Sequence, residues 1–233
     1  MLGWSRMRRA LVIVGKAPEP GLAKTRLIGQ HLSAQAAAAL YRGFLLDTLQ
    51  LGLGLGWERV TLVHPARAGA AAALAALVPP PVKLRAQGGT GLGHALASAV
   101  ARHLAEGFQR VVLIGSDTPS LPVELIEAGC LSLDECDVCL GPSSDGGYYL
   151  IGLRAAHLGL FERIDWSTDR VYGQTLERAR QLGLLTRSLP EWYDVDTLAD
   201  LDRLRAELVD RPAWVARHTR QALEQLAGLV SGV

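Results

Sequence analysis

Short apolar runs and longer stretches of helical periodicity succeed one another along this chain. Residues 9–15, 58–64, 82–86, 111–114 and 148–153 are rich in Val, Ile and Leu and bounded by Gly, Pro or charged residues, so they read as strands. Between them apolar side chains recur at helical spacing. Leu40, Phe44 and Leu51 do so within 33–51, where Ser33 suits the N-cap. Residues 66–77, 91–105 and 171–182 read as further helices, the first ending before three prolines, and another begins near Pro122. Two weaker strands are expected at 137–140 and, as an edge, at 185–189. Residues 198–229 are helical with a break near Pro212, and can pack on the sheet or on another subunit, which leaves a homodimer open. Strand and helix in alternation predict a three-layer α/β sandwich with a mostly parallel sheet. The expectation is a single domain over 1–233 with a helical extension from about residue 205.

Composition narrows the classes. At 233 residues with 49% hydrophobic residues, the chain can bury a sizeable core. A net charge of +1 leaves no basic surplus for DNA or RNA, so a nucleic-acid partner is not expected. The apolar run at 10–14 is too short for a signal peptide and no segment reaches membrane-spanning length, so a cytoplasmic protein without a membrane span is expected. Cys130, Cys136 and Cys139 form no even disulfide set. Cys136 and Cys139 have the spacing of half a zinc site, but no matching pair follows, so buried free thiols are expected.

The chemistry gathers in four places. Gly115-Ser116-Asp117 ends the run 111–114, and Pro119 and Pro122 start a new element. Parallel strands present ligands at their carboxyl ends, where Asp117 would offer a hard oxygen to a metal on nucleotide phosphates. The plainer alternative makes Asp117 a helix cap. After the first strand, Gly15 to Leu27 holds Lys16, Lys24 and Arg26 among glycines and prolines, without P-loop spacing, and suits phosphate. Gln87 to Gly93 is a glycine-rich turn before a helix whose Gly91 and Gly93 would leave backbone amides open to a phosphate, although a tight turn needs the same residues.

Two acidic segments follow. Gly141-Pro142 to Asp145-Gly146-Gly147-Tyr148-Tyr149 couples a second carboxylate to a strand, with Tyr148 and Tyr149 pointing to opposite faces, so at most one meets the cleft. An Asp-Gly turn is the plainer use of Asp145. In Asp194-Val195-Asp196-Thr197 the two acids share a face if the segment is extended, and one can close a metal site opened by Asp117. Thr197 or Asp196 can also cap the next helix, with Asp200 in its first turn.

Taken in order, Lys16-x-Pro18 to Lys24-Thr25-Arg26-Leu27, Gly115-Ser116-Asp117-Thr118-Pro119, Gly141-Pro142 to Tyr149, Trp166-Ser167-Thr168 and Asp194-Val195-Asp196-Thr197 resemble the glycosyltransferase-A-like family catalogued as domain of unknown function 2064, over about residues 9–204. The resemblance implies the A-type glycosyltransferase, or nucleotide-diphospho-sugar transferase, fold. It implies that the loop carrying Lys24 and Arg26 holds nucleotide phosphates, and that Asp117 and Asp196 bind Mg2+ or Mn2+; Lys16, Gly91 and Gly93 join the expected phosphate site on the reading of their loops above. Asp145 is then the candidate general base, and Gly146, Gly147, Tyr148 and Trp166 belong to the acceptor side. The expected function is glycosyl transfer from a nucleotide sugar to a small acceptor. Nucleotidyl transfer from a nucleoside triphosphate to a phosphorylated acceptor is the alternative, because Gly115-Ser116-Asp117 offers a single Asp where many A-type glycosyltransferases carry a D-x-D. A non-catalytic nucleotide-binding module is the third reading.

Overall fold

The computed structural model describes residues 7–29 and 32–230, with the side chains of 228–230 left aside. Seven strands form one sheet: β1 (Arg9–Val14), β2 (Arg59–His64), β3 (Lys83–Ala86), β4 (Arg110–Gly115), β5 (Val138–Pro142), β6 (Tyr148–Leu153) and β7 (Thr186–Ser188). Their spatial order is β3-β2-β1-β4-β6-β5-β7. β1 pairs in parallel with both β2 and β4, and β6 runs antiparallel between β4 and β5. The sheet is thus mostly parallel, as the β-branched density of its central strands predicts, and its one reversal follows from the short turn at Asp145-Gly146-Gly147 between β5 and β6.

Helices cover both faces: α1 (Ala34–Gly54), α2 (Ala70–Ala75), α3 (Gly91–Ala105), α4 (Val123–Ser132), α5 (Val171–Gln181), α6 (Leu198–Asp210) and α7 (Arg217–Val230). One buried cluster packs Leu11, Ile13 and Ile114 against Leu45, Leu49 and Ile126 of α1 and α4, and the other packs Val12, Val111 and Leu113 against Leu96, Val100 and Ala179 of α3 and α5. Strand alternation sends successive residues to opposite clusters. Ser33 caps α1 by accepting from the Ala36 N–H at 3.1 Å. The helix expected at 66–77 is cut to Ala70–Ala75, because Gly69 stands at its N-cap in the left-handed region, φ 79°.

The C-terminal helices do not await another subunit for their packing. α7 lies along α1, where Gly43 lets the His218 backbone approach: a Cβ there would stand 2.9 Å from the His218 carbonyl oxygen. Asp47 of α1 accepts from the N–H groups of His218 (2.9 Å) and Thr219 (2.8 Å) and from the Thr219 hydroxyl (2.6 Å). All three cysteines are buried free thiols. Among the described residues, no helix is long and apolar enough to cross a membrane.

Candidate active site

The parallel arrangement opens a cleft of about 650 Å³ over the carboxyl ends of β1 and β4. β1 delivers Gly15 and Lys16, β4 delivers Ser116 and Asp117, the turn before α3 delivers Gln87, the start of α3 delivers Gly91, and β6 brings Tyr148. Asp194 and Asp196 arrive on an extended segment tied to the sheet by three backbone bonds. Trp192 N–H donates to the Pro142 carbonyl (3.0 Å), Ser144 N–H to the Trp192 carbonyl (3.0 Å), and Val195 N–H to the Asp117 carbonyl (2.9 Å). Val195 is fully buried, so alternation turns the two acids on either side of it toward the cleft. Thr197 and Asp200 form a capping box on α6, which leaves the Asp196 carboxylate free of capping.

Lys24 joins the two acidic segments. Its ammonium pairs with Asp117 and lies 2.9 Å from Asp196 Oδ1, with the side chain only 2% exposed. Arg26, 70% exposed, adds a second cation 3.7 Å from Asp196 Oδ2. Burial alone would lower the Lys24 pKa, but Asp117 and Asp196 outweigh it and hold the pKa above the ordinary lysine value. Burial would likewise raise Asp196, and Lys24 followed by Arg26 outweighs it, so this carboxyl lies below the usual range. Asp194 goes the other way. Burial pushes it up to about 7, with the charges of Asp117 and Asp145 adding, against the hydrogen bond that Ser143 Oγ donates at 2.8 Å. Tyr41 locks the floor: its hydroxyl accepts from Lys16 N–H (2.9 Å) and bonds Ser116 Oγ (2.8 Å).

Lys16, Arg26, Gly91, Asp117, Asp145, Gly147, Tyr148, Trp166 and Asp196 all line the cleft, and Tyr149 lines it beside Tyr148, against the expectation that at most one of the two tyrosines would. Three expected site residues sit differently. Lys24 lies buried between two carboxylates rather than open to phosphate. Gly93 is buried beneath Trp166, and a Cβ there would stand 2.5 Å from the indole nitrogen, so its missing side chain serves packing. Gly146, at φ 87°, presses against the Asp169 backbone for the same reason. Asp145 Oδ1 accepts the Gly147 N–H at 2.9 Å, the turn that the Asp-Gly pair signals. Tyr41, Ser143 and Asp169 carry no local signal in the sequence. Asp194 does carry one, its spacing from Asp196.

The donor set suits a magnesium or manganese ion. Two carboxylates converge on a point that already holds a cation, and such ions are commonly bound by one or two protein carboxylates plus substrate phosphates. Among the described residues no group of three His, Cys, Asp or Glu forms a closed metal cage.

The model of a bacterial family described as "Uncharacterized protein conserved in bacteria (DUF2064)" matches residues 48–168. This chain is a DUF2064 protein. The matched stretch carries Asp117 and Asp145, while Lys24, Asp194 and Asp196 lie outside it. A protein from Desulfovibrio desulfuricans G20, provisionally described as a nucleotide-diphospho-sugar transferase, shares 34% identity, with 97% of this chain and 98% of that one covered at a TM-score of 0.87. More distant structures share the fold of this DUF2064 chain. They include Rv0371C from Mycobacterium tuberculosis H37Rv in complex with manganese (17% identity, 86% and 98% covered, TM-score 0.53). CMP:2-keto-3-deoxy-manno-octonic acid synthetase complexed with CTP is another (14%, 87% and 98%, TM-score 0.55). No curated protein matches the chain in sequence.

Proposed function

We propose that this DUF2064 protein is a metal-dependent transferase that moves a sugar from a nucleotide sugar to a small hydroxyl-bearing acceptor. The charge of the cleft carries the reading. Asp117, Asp145, Asp169, Asp194 and Asp196 line it, against Lys16 and Arg26, and Lys24 is already committed to two of those acids. A triphosphate would meet this acidic wall with too few cations. A diphosphate carries less charge, and the hydroxyls of a sugar are donors that carboxylates accept.

In this reading Lys16 and Arg26 hold the diphosphate at the mouth, and Gly91, at φ 81° with open space around it, leaves the start of α3 accessible to it. Mg2+ or Mn2+ held by Asp117 and Asp196 would neutralise charge building on the diphosphate as its bond to the sugar breaks. Tyr148 and Trp166, ring centroids 6.4 Å apart and nearly perpendicular, give the sugar an apolar wall. Asp194, its carboxylate oriented by Ser143, lies where it can take the acceptor's proton as the new bond to the sugar forms. Asp194 is preferred to Asp145 because burial raises its pKa to about 7, close to the range in which a general base works. The Desulfovibrio relative supports the donor class, and the manganese complex supports the choice of ion.

One observation favours nucleotidyl transfer instead. Gly115 stands where a D-x-D ending at Asp117 would carry its first acid, and the hydroxyl of the intervening Ser116 is bound to Tyr41 rather than turned to a metal. Product analysis by mass spectrometry separates the two readings. Incubated with Mn2+, an acceptor panel and either nucleotide sugars or nucleoside triphosphates, the protein should release a nucleoside diphosphate from one of the sugars. Asp194→Asn should cut that turnover at least a hundredfold with donor binding retained, within the range expected of a general base. Pyrophosphate released from a triphosphate, with every nucleotide sugar intact, would replace the proposal with the second reading.

A further inference from the structure

We infer that Lys24 is a built-in counter-ion that fills the cation point between Asp117 and Asp196 until the donor's phosphates arrive, so that metal and donor bind together. This deepens the transferase reading above and rests on it.

Lys24 touches the very carboxylates that would hold the divalent ion. Two carboxylates drawn to one point repel each other, and a buried ammonium is the charge this chain supplies to hold them there. A divalent ion cannot share the point with that ammonium, because both need the same oxygens and repel each other at contact distance. Lys24 must therefore leave for the metal to enter.

The neighbouring backbone is built to stay while the side chain moves. Ala23 and Leu27 are fully buried on either side, which anchors the segment. Lys24 itself is held in the left-handed region at φ 50° and ψ 43°, a conformation that costs a residue with a Cβ and persists where the surroundings impose it. The residue type fits the task as well. Lysine carries a compact charge on a flexible four-carbon stem, so it can swing over several ångströms without moving the loop.

A donor diphosphate offers the displaced ammonium a new partner. Arg26, which also touches Asp196 and is largely exposed, already marks the side from which an anion would approach. Without phosphate, expelling Lys24 strands a cation in a buried position, so the metal alone binds weakly. With phosphate present, the same movement satisfies both charges. The coupling is reciprocal: metal raises affinity for donor by the factor with which donor raises affinity for metal.

The test is an Mn2+ titration of nucleotide-free protein, read from the electron paramagnetic resonance signal of free Mn2+. Wild type is compared with Lys24→Met, which keeps the stem without the charge, and with Lys24→Gln, which keeps a donor. Both variants should bind one Mn2+ per chain at least tenfold more tightly than wild type, and Asp196→Asn added to Lys24→Met should abolish the gain. Thermal melts in parallel should show Mn2+ stabilising the variants more than wild type. Folded variants that bind Mn2+ no more tightly than wild type would overturn the inference, as would variants that stay unfolded even with Mn2+. The two ideas fail separately: wild type that turns over a nucleotide sugar without tighter Mn2+ binding in the variants refutes only the counter-ion. Tighter binding without any turnover refutes only the transferase.

Discussion

Asp117→Asn keeps the size of the side chain and removes one of the two charges around Lys24. Severing a fully buried ion pair costs about 3–5 kcal/mol, because the abandoned charge has no solvent to turn to. Lys24 is that buried partner, but Asp196 stays beside it at 2.9 Å. Asp117 and Asp196 are also 36% and 38% exposed, so water screens much of their attraction, and an exposed pair contributes about 1 kcal/mol or less. The expected loss therefore lies between these limits, at about 1–2 kcal/mol. The backbone tie survives, since Val195 N–H bonds the Asp117 carbonyl and not its side chain. Urea denaturation should show a lower midpoint with an unchanged slope. Melts with Mn2+ and a bound nucleotide sugar should lose their donor-dependent rise. Stability within a few tenths of a kcal/mol of wild type, with that rise intact, would refute both the pairing with Lys24 and the metal role.

Three further outcomes follow from the same contacts. Asp47→Ala removes the acceptor for three donors at the start of α7 and should cost about 3 kcal/mol in urea denaturation, at roughly 1 kcal/mol per bond; a loss below about 1 kcal/mol would mean that α1 does not cap α7. His103 is fully buried between Thr61 and the Ala99 carbonyl, and burial lowers its pKa below the ordinary histidine value. The unfolded chain then takes up the proton first, so stability is full above about pH 6.5 and falls as pH drops below it. Denaturation midpoints at pH 8 and pH 5.5 should differ less in His103→Gln than in wild type, and an equal difference would remove His103 from the account. Arg26→Ala should raise the donor's KM about tenfold, the effect of losing one charged hydrogen bond to phosphate, with stability unchanged; an unaltered KM would exclude it from the phosphate site.

The elements near the site were legible because local chemistry decided them. The β-branched runs of β1 and β4, the cap at Ser33 and the glycine start of α3 each act within a few residues. The reversed strand β6 was not legible, since its run resembles the parallel ones and its neighbours are chosen by the whole sheet. Asp117 could be found from its place at a strand end, and Asp194 with Asp196 from their alternation. The pairing of Lys24 with two carboxylates was not legible. Burial of the lysine's charge depends on acids 93 and 172 positions away in sequence, and its left-handed backbone lacks the glycine that usually announces one. Tyr41 sits among helical core positions, and nothing nearby shows that its hydroxyl will bind Ser116.

The central claim is that the acidic cleft takes a nucleotide sugar together with a divalent ion. A thermal-shift comparison of nucleotide sugars, nucleoside diphosphates and nucleoside triphosphates, each with and without Mg2+ or Mn2+, tests it most directly. The account predicts a metal-dependent rise in melting temperature with at least one nucleotide sugar, larger than with any triphosphate and absent in Asp117→Asn. A rise confined to triphosphates, or none with any nucleotide, would contradict it.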